Sequence, residues 1–298
     1  MFQCDFLFYF VVLDVKIGAT LSLAQHEEFC INYDAVVSAC ESMDIRNTLD
    51  AFNRLKGCHV VEGFVQILLF DNVNETELSL LSFPNLTEIT DYLLLYRVNG
   101  LRSIGQLFPN LSVIRGQVTF YTYSFVVFEM SSLQEIGLYS LTDIMRGLIR
   151  IDKNPSLCFV NSIDWDLIAH EKGDHFIKSL KSRNECPVCP GDEKEDDPSS
   201  SASYKACPKA HPRLTSDSFD RDPRLCWNRQ HCQKICPKCN KSACNANGDC
   251  CDDRCLGGCN LNDLTVCTVC RNFSMGFGAN KKCMSSCPQN HYQVGADM

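Results

Sequence analysis

The sequence predicts an α+β fold in which a repeat-built β-solenoid, capped by helices, is followed by a disulfide-rich rod. Three observations support this prediction: a short apolar motif recurs, β-branched and aromatic runs separate its copies, and the 21 cysteines are unevenly distributed. Five cysteines precede residue 186, and sixteen lie between Cys186 and Cys287. A chain of 298 residues is long enough for about two domains. The two parts are therefore expected to reach stability by different means.

Composition and charge exclude several classes of function. With 45% hydrophobic and 21% charged residues, the chain has the composition of a folded protein. Its net charge of -8 provides no excess of the Lys and Arg that hold polyanions, so we expect no nucleic-acid partner. No apolar run reaches the roughly 18 residues of a transmembrane helix. Hydrolase, metalloprotease and phosphate-loop motifs are absent from the sequence, so we expect no catalytic residue, metal or cofactor.

The N-terminal segment predicts export. The apolar run Phe6–Leu13 resembles the core of a signal peptide, and small residues near Ala24 offer a cleavage site, so residues 1–24 are assigned to a signal and residues 25–39 to a lead-in. Because Asp5 and Asp14 interrupt this pattern, a buried N-terminal strand or a mis-assigned start is the alternative. High cysteine density independently favours an extracellular location. Five N-glycosylation motifs do so too, at Asn74, Asn85, Asn110, Asn240 and Asn272.

The repeats predict the solenoid. The motif of Phe83–Thr90 returns 25 residues later in Phe108–Arg115, and a degenerate copy follows at Leu133–Ile136. Each copy places a Leu three residues before an Ile, as at Leu86 and Ile89, so that both can point into one stacked core. Between the copies lie runs with high β-propensity, which we predict to be parallel strands. These are Val60–Leu69, Tyr92–Val98, Tyr123–Glu129 and Leu148–Ile151.

Both ends of a solenoid need closure, and two segments are predicted to supply it. Near-helical apolar spacing predicts a capping helix over Asp44–Leu55, and a second is predicted over Ile163–His170. Cys40 and Cys58 flank the first helix, and Cys158 and Cys186 flank the second. Pairing within each couple would clamp the two ends, and unpaired buried thiols are the alternative.

Beyond the solenoid the composition changes. The acidic, serine-rich tract 191–203 cannot bury a core and predicts a loop or linker. Thirteen cysteines then follow from Cys226 onward among few large aliphatic residues, so crosslinks must replace burial. Three C-x-x-C pairs, beginning at Cys186, Cys236 and Cys267, leave zinc as a competing interpretation. Irregular spacing and export favour cystines over zinc or a redox site.

Motifs in both parts resemble the extracellular region of the insulin receptor family. Those similar to its first leucine-rich (L1) domain are Asp44–Asn47, Val61–Phe64, Gln66–Leu69, Thr90–Val98, Phe108–Gly116, Val127–Met130, Arg146–Gly147 and Ile163–Trp165. Those similar to its furin-like cysteine-rich region are Cys226–Trp227, Cys232–Cys236, Cys255–Cys259 and Cys270–Phe273. The resemblance covers roughly residues 40–290 in the family's order, and an invertebrate insulin-like receptor tyrosine kinase is the closest type.

The resemblance implies a fold and a function. It implies a leucine-rich-repeat-like, right-handed β-helix L domain over residues 40–186 and a furin-like region over 187–298 that is incomplete at its C-terminus. The implied partners are an insulin-like peptide hormone and a C-terminal helix from a partner receptor chain. The family's kinase domain is absent from this sequence, so the chain itself is not expected to be an enzyme. A secreted decoy that sequesters such peptides, or a structural glycoprotein without a ligand, are the alternatives.

The resemblance also implies a binding surface, on the central sheet of the L domain. Aromatic and Arg side chains of this kind dominate binding hot spots. Because alternate strand residues face inward, about a third of the apolar positions in this set are expected to belong to the core, whereas Arg46, Arg97 and Arg150 are firmer assignments. The implied ligand-binding residues are Arg46, Asn47, Gln66, Leu68, Leu69, Tyr96, Arg97, Phe120, Tyr121, Phe128, Arg150 and Lys153.

The family's disulfide pattern implies nine pairs. Carried onto this sequence they are Cys40–Cys58, Cys158–Cys186, Cys189–Cys226, Cys207–Cys232, Cys236–Cys244, Cys239–Cys250, Cys251–Cys259, Cys255–Cys267 and Cys270–Cys283. Cys287 is left without a mate, Cys4 would leave with the signal, and Cys30 has no counterpart in the family. At least one free thiol or intermolecular bridge is therefore expected.

Overall fold

The computed structural model describes residues 2–5, 39–71, 73–192, 206–209, 224–239, 242–275, 281–286 and 292–294. It divides into two compact units. Residues 39–238 form the first, called here the repeat unit, and residues 239–298 with residues 1–38 form the second, called the cystine unit. The repeat unit thus extends past residue 186, where the L domain is predicted to end. That domain boundary stays a prediction.

The described residues contain fifteen strands, numbered here in chain order. They are β1 (Phe2–Asp5), β2 (Ala39–Arg46), β3 (Val60–Phe70), β4 (Glu88–Ile89), β5 (Leu93–Val98), β6 (Val113–Ile114), β7 (Tyr123–Phe128), β8 (Asp143–Ile144), β9 (Leu148–Asp152), β10 (Phe176–Ile177), β11 (Cys255–Cys259), β12 (Cys267–Cys270), β13 (Phe273–Met275), β14 (Lys282–Met284) and β15 (Tyr292–Val294). The α-helices are α1 (Glu75–Ser79), α2 (Ile104–Leu107) and α3 (Trp165–Ile168), and short 3-10 helices cover Leu49–Leu55, Val160–Ser162 and Arg183–Glu185.

The repeat unit is built on one parallel sheet of nine strands. Its main ladder runs β2, β3, β5, β7, β9, β10. A short ladder runs β3, β4, β6, β8, because the first two residues of β3 pair with β4 while its later residues pair with β5. The four predicted strands are confirmed as members of this parallel sheet. Right-handed β-helical winding stays a prediction.

The core of the repeat unit consists of stacked rows of aliphatic side chains. One row joins Ile45, Ile67, Leu95, Val127 and Ile151, which pair in register on successive strands. These side chains are fully buried, as are the paired Leu and Ile residues of the repeated motif. Burial of this kind stabilises by roughly 25 cal/mol per Å² of apolar surface. The inward orientation predicted for the motif is therefore confirmed.

The first predicted capping helix is wrong over its first residues. Strand β2 occupies Ala39–Arg46, and only Leu49–Leu55 is helical, as a 3-10 helix with Phe52 and Leu55 buried. The reason is that Met43 and Ile45 alternate with polar Asp44 and Arg46, which suits a strand on the edge of the sheet. The apolar pattern that predicted one helix therefore runs from Ile45, in a strand, to Leu49, in a 3-10 helix.

The second predicted capping helix is shorter than expected. Helix α3 covers only Trp165–Ile168, and the Asp164 side chain caps it by accepting a hydrogen bond from the Leu167 N–H at 3.3 Å. Beside it, Trp165 makes an edge contact with buried Trp227, with ring centroids 5.7 Å apart. The Gln233 side chain accepts from the Asp164 N–H and donates to its carbonyl. These contacts explain why the repeat unit reaches residue 238.

Eight of the nine implied disulfides are present as pairs. They are Cys40–Cys58, Cys158–Cys186, Cys189–Cys226, Cys207–Cys232, Cys239–Cys250, Cys251–Cys259, Cys255–Cys267 and Cys270–Cys283. Cys236 and Cys244 are also disulfide-bonded. Every C-x-x-C cysteine is therefore committed to a cystine, which removes the thiolates that zinc would need. Across the described ranges no group of His, Cys, Asp and Glu could hold a metal ion. Cys30, Cys287 and the Cys4 side chain lie outside the described residues.

In the cystine unit, β11 and β12 form an antiparallel pair, and β14, β13, β1 and β15 form a small sheet. Strand β1 pairs with β13 and β15. The alternative of a buried N-terminal strand over the apolar run is not tested by β1, which covers only Phe2–Asp5. The run Phe6–Leu13 and the cleavage site lie outside the described residues, and the signal peptide stays a prediction. In the part of the chain that is described, no helix is long and apolar enough to span a bilayer.

Candidate functional site

The strand register places two rows of side chains on the side of the main ladder opposite the core, called here the outer face. The first row is Asp44, Gln66, Leu94, Val126, Arg150 and Phe176. The second row is Arg46, Leu68, Tyr96, Phe128 and Asp152. Successive residues of a strand point to opposite sides of the sheet. The residues just before and just after each inward-pointing residue therefore form these two outward rows.

A third set of side chains follows the second row, where each strand ends. Its members share a left-handed backbone with φ between 50° and 67°, although none is glycine. They are Asn47, Leu69, Arg97, Glu129 and Lys153, called here the left-handed column. Such a backbone costs an L-residue roughly 1–2 kcal/mol. It lets two successive side chains project outward before the chain returns to the core, as Leu68 and Leu69 do ahead of buried Phe70.

Aromatic rings cover much of the outer face. Phe64 stacks on Tyr92 with ring centroids 5.1 Å apart, and Tyr92 contacts Phe120 at 5.7 Å. Phe120 meets Tyr121 edge-on at 5.0 Å, and Tyr121 is 85% exposed. The Gln66 side chain donates a hydrogen bond to the Tyr92 hydroxyl. Further along the face a second stacked pair, Tyr96 and Phe128, has its centroids 5.6 Å apart.

Leu68 is the buried member of the apolar residues in the predicted set. It is 8% exposed and packs with Leu94, Tyr92 and Val126 in a cluster on the outer face. The expectation that about a third of these apolar positions belong to the core stays a prediction. The left-handed column breaks strict alternation, so neighbouring residues such as Leu68 and Leu69 can share one side.

Charged groups surround the aromatic rings. The Glu129 carboxylate accepts from Arg97 Nε at 2.8 Å and from Lys153 Nζ at 3.0 Å, so it bridges two cations of the left-handed column. The hydrogen bond from Lys153, with that from Arg97, lowers the pKa of Glu129 below its usual value. Arg46 pairs with Asp44 beside it. These pairs are exposed and contribute little to folding stability, because solvent and salt screen them.

Arg150 lies among three aromatic rings. Its guanidinium carbon is 5.8 Å from the centroid of Tyr123, 5.3 Å from Phe128 and 5.1 Å from Phe176. Its nearest carboxylate is Asp152, at 3.9 Å. Cation–π contacts contribute about 0.5–1 kcal/mol each at exposed sites. Because a planar guanidinium in such surroundings keeps donors free, Arg150 can bind a carboxylate of a ligand.

The structure brings the predicted set together on or beside the outer face, and it adds residues that were missed. Phe64, Tyr92, Leu94, Val126 and Glu129 lie among the predicted residues but were not predicted. Counting back in steps of two from Tyr96 and Phe128 would have found Tyr92, Leu94 and Val126. Glu129 had no such signal, because its outward position depends on the left-handed backbone.

Four of the five candidate glycosylation asparagines lie within the described residues. Asn74, Asn85, Asn110 and Asn272 are all exposed, and Asn240 lies outside the described residues. Asn74 is the N-cap of α1 and accepts from the Thr76 N–H at 3.0 Å. The Asn110 side chain donates to the Pro84 carbonyl at 2.8 Å. Glycan occupancy stays a prediction.

Comparisons with known proteins match both parts of the chain. A receptor L domain model matches residues 57–169, and a furin-like cysteine rich region model matches residues 200–297. The chain is 42% identical over 267 residues to the insulin-like growth factor 1 receptor of Xenopus laevis, covering 89% of this chain. It is 42% identical to the insulin receptor of Xenopus laevis and 43% identical to the insulin-like peptide receptor of Branchiostoma lanceolatum, each over 258 residues and 85% of this chain. It spans only 17–18% of the length of these three relatives.

Proposed function

The chain is a receptor L domain followed by a furin-like cysteine-rich region, and from this premise we propose that it binds an insulin-like peptide hormone through the outer face. In this proposal it is the extracellular hormone-binding region of an insulin-like receptor, whose parent family is the transmembrane receptor protein tyrosine kinases. The matched regions of this chain are a receptor L domain and a furin-like cysteine rich region, and they include no kinase domain.

The observation that carries the proposal is the exposure of large apolar groups beside cations on one surface. Leu69 is 41% exposed, and Phe120 and Tyr121 are also exposed. A soluble domain usually leaves such a patch uncovered only where a partner will bury it. Arg97, Arg150 and Lys153 stand at its border, and aromatic groups with Arg are typical of binding hot spots.

Backbone strain supports the same conclusion. Leu69 and Tyr121 both have left-handed backbones, with φ of 59° and 57°. Glycine would adopt this conformation without the cost of a side chain. Keeping large apolar side chains there opposes stability, which is expected where the side chains serve binding.

The chain alone is expected to bind the hormone weakly. Insulin-like peptides are proposed to share the outer face with a helix from a partner receptor chain, so a composite site would be incomplete here. Missing contacts leave less free energy to offset the entropy lost on association. The secreted-decoy alternative uses the same surface, whereas the alternative of a structural glycoprotein does not account for the exposed aromatic rings.

The proposal is tested with a matched pair of leucines. Leu69 and Leu80 are both exposed, but Leu80 lies at the end of α1 and is not on the outer face. Fluorescently labelled insulin is titrated with the wild-type chain, Leu69→Ala and Leu80→Ala, and binding is followed by anisotropy. We expect Leu69→Ala to weaken binding about tenfold or more and Leu80→Ala to leave it unchanged. Equal affinities for all three chains would contradict the proposal.

A further inference from the structure

We propose that the hormone-binding face extends to the sixth strand of the main ladder, where Phe176 and Lys178 with Arg150 form a subsite for a carboxylate-bearing segment of the hormone. This inference rests on the proposed function. Phe176 and Lys178 lie outside the predicted set, which ends at Lys153. They also lie beyond the receptor L domain match, which ends at residue 169.

The sheet register places Phe176 on the outer face. Phe176 pairs with Arg150 and Ile177 with Ile151. Arg150 belongs to the first row of the outer face, and Ile151 points into the core. Phe176 is therefore the sixth member of the first row, and its ring is half-buried rather than part of the core. Lys178 follows in the position that continues the second row, and it is exposed.

Two cations approach the same ring. The Arg150 guanidinium carbon lies 5.1 Å from the Phe176 centroid, and Lys178 Nζ lies 4.8 Å from it. Lys178 makes no ion pair with any residue that the structure describes. The Phe176 ring therefore keeps Arg150 and Lys178 close together, and it neutralises neither cation.

Charge along the outer face points to an acidic partner. From the third strand of the ladder to the sixth, the rows and the left-handed column carry four cations, Arg97, Arg150, Lys153 and Lys178, against two carboxylates, Asp152 and Glu129. Glu129 is shared by Arg97 and Lys153, and Asp152 lies 3.9 Å from Arg150. One surplus positive charge therefore lies at the Glu129 bridge, and the other lies at Lys178 beside Arg150. In a chain with a net charge of -8, this local reversal favours a carboxylate.

The chemistry of the subsite defines what it can hold. Arginine presents a planar fork that matches a carboxylate, and lysine adds a second, mobile donor. The Phe176 ring offers an apolar surface beside them. A peptide segment in which an Asp or Glu neighbours an apolar side chain would satisfy both. Because the cations are exposed, attraction should act mainly on the rate of association and should weaken with salt.

The experiment reverses one charge on the full chain. Surface plasmon resonance with immobilised insulin compares wild type, Lys178→Glu and the control Lys172→Glu, which alters an exposed lysine that precedes β10. At low ionic strength we expect Lys178→Glu to lower the association rate constant about three- to tenfold, with the loss shrinking toward zero in ~0.5 M salt. Lys172→Glu should match wild type.

A second arm modifies the hormone. Insulin with its carboxylates amidated should associate more slowly with wild type, and Lys178→Glu should then cost less than it costs with unmodified insulin. This double-mutant cycle isolates the lysine–carboxylate interaction. If wild type binds insulin and Lys178→Glu binds equally fast at low salt, the subsite is refuted while the proposed function stands. If wild type does not bind insulin at any concentration, both proposals fail.

Discussion

The two units of this chain are stabilised by different cores. In the repeat unit the buried cluster is made of leucine, isoleucine, valine and phenylalanine stacked in rows across the sheet. In the cystine unit the buried cluster consists of cysteines, namely Cys251, Cys255, Cys267, Cys270 and Cys283. Burial of apolar surface supports the first, and covalent closure of short loops supports the second.

The difference explains where a binding surface can form. The repeat unit has enough apolar residues to fill its interior and still place Leu69, Phe120 and Tyr121 on its exterior. The disulfides within the cystine unit close loops of only 8 to 13 residues. In the described part of this unit the buried cluster is made of cysteines, and the exposed large apolar residues are Leu261, Leu264 and Val266. The proposed hormone-binding surface therefore lies in the repeat unit.

The largest expected effect comes from reducing the disulfides. In dithiothreitol the cystine unit should lose its structure, because each cystine contributes roughly 2–4 kcal/mol and its described buried cluster consists of cysteines. Strands β3 and β5 should keep slow amide exchange, since the core that they line is mainly aliphatic, although Cys58 of the Cys40–Cys58 pair also belongs to it. Hydrogen exchange followed by mass spectrometry measures both regions in one sample. Loss of protection in β3 and β5 at the same time would contradict the conclusion that the two units are stabilised by different cores.

The next effect separates the core from the outer face within one unit. Leu95→Ala should lower the free energy of unfolding by about 2–5 kcal/mol, because Leu95 is fully buried in the aliphatic row. Leu69→Ala should change it by about 0.5 kcal/mol or less, since the side chain is largely in water. Urea unfolding of the repeat unit, monitored by circular dichroism, gives both values. Similar losses would contradict the assignment of Leu69 to the outer face.

A smaller effect concerns the left-handed backbone of Leu69, where a glycine variant should gain stability over an alanine variant without regaining binding. Replacing Leu69 with glycine removes the strain of its left-handed backbone, so Leu69→Gly should be more stable than Leu69→Ala by about 0.5–1 kcal/mol. Both variants should bind insulin more weakly than wild type. Thermal unfolding and anisotropy titration on the same preparations measure the two quantities. A glycine variant that is less stable than the alanine variant would show that strain is not stored at this position.

The smallest effect concerns the Glu129 bridge. Hydrogen bonds from Lys153 and Arg97 lower the pKa of this carboxylate, so its contribution is present above the ordinary pKa of glutamate and is lost as the pH falls through the lower folded-state pKa. Wild type should therefore be slightly more stable than Glu129→Gln at pH 7. That difference should vanish in acid. Melting temperatures of both chains from pH 7 down to pH 3 provide the measurement, and a constant difference would contradict the bridge.

The sequence predicted the repeat architecture because repetition constrains the fold. Leu86, Ile89, Leu111 and Ile114 are buried as their spacing requires, and the resemblance implied cystine pairs that the structure contains. The strand at Asp44–Arg46 was missed because two buried residues in alternation also fit the start of a helical pattern.

Other features left no readable signal. The left-handed column contains no glycine, so nothing in its composition marked the backbone conformation that turns Arg97 and Glu129 outward. Strand β10 is only two residues long, too short for a periodic pattern, and Phe176 could be assigned to the outer face only through its pairing with Arg150.

The most direct test of the central claim is hydroxyl-radical footprinting of the chain with and without saturating insulin. Oxidation of Tyr96, Phe120 and Tyr121 should fall when the hormone is bound, because these rings would be covered. Oxidation of exposed Leu80 and Leu167 should stay the same. Protection confined to residues away from the outer face, with Tyr121 oxidised as fast as in the free chain, would contradict the account.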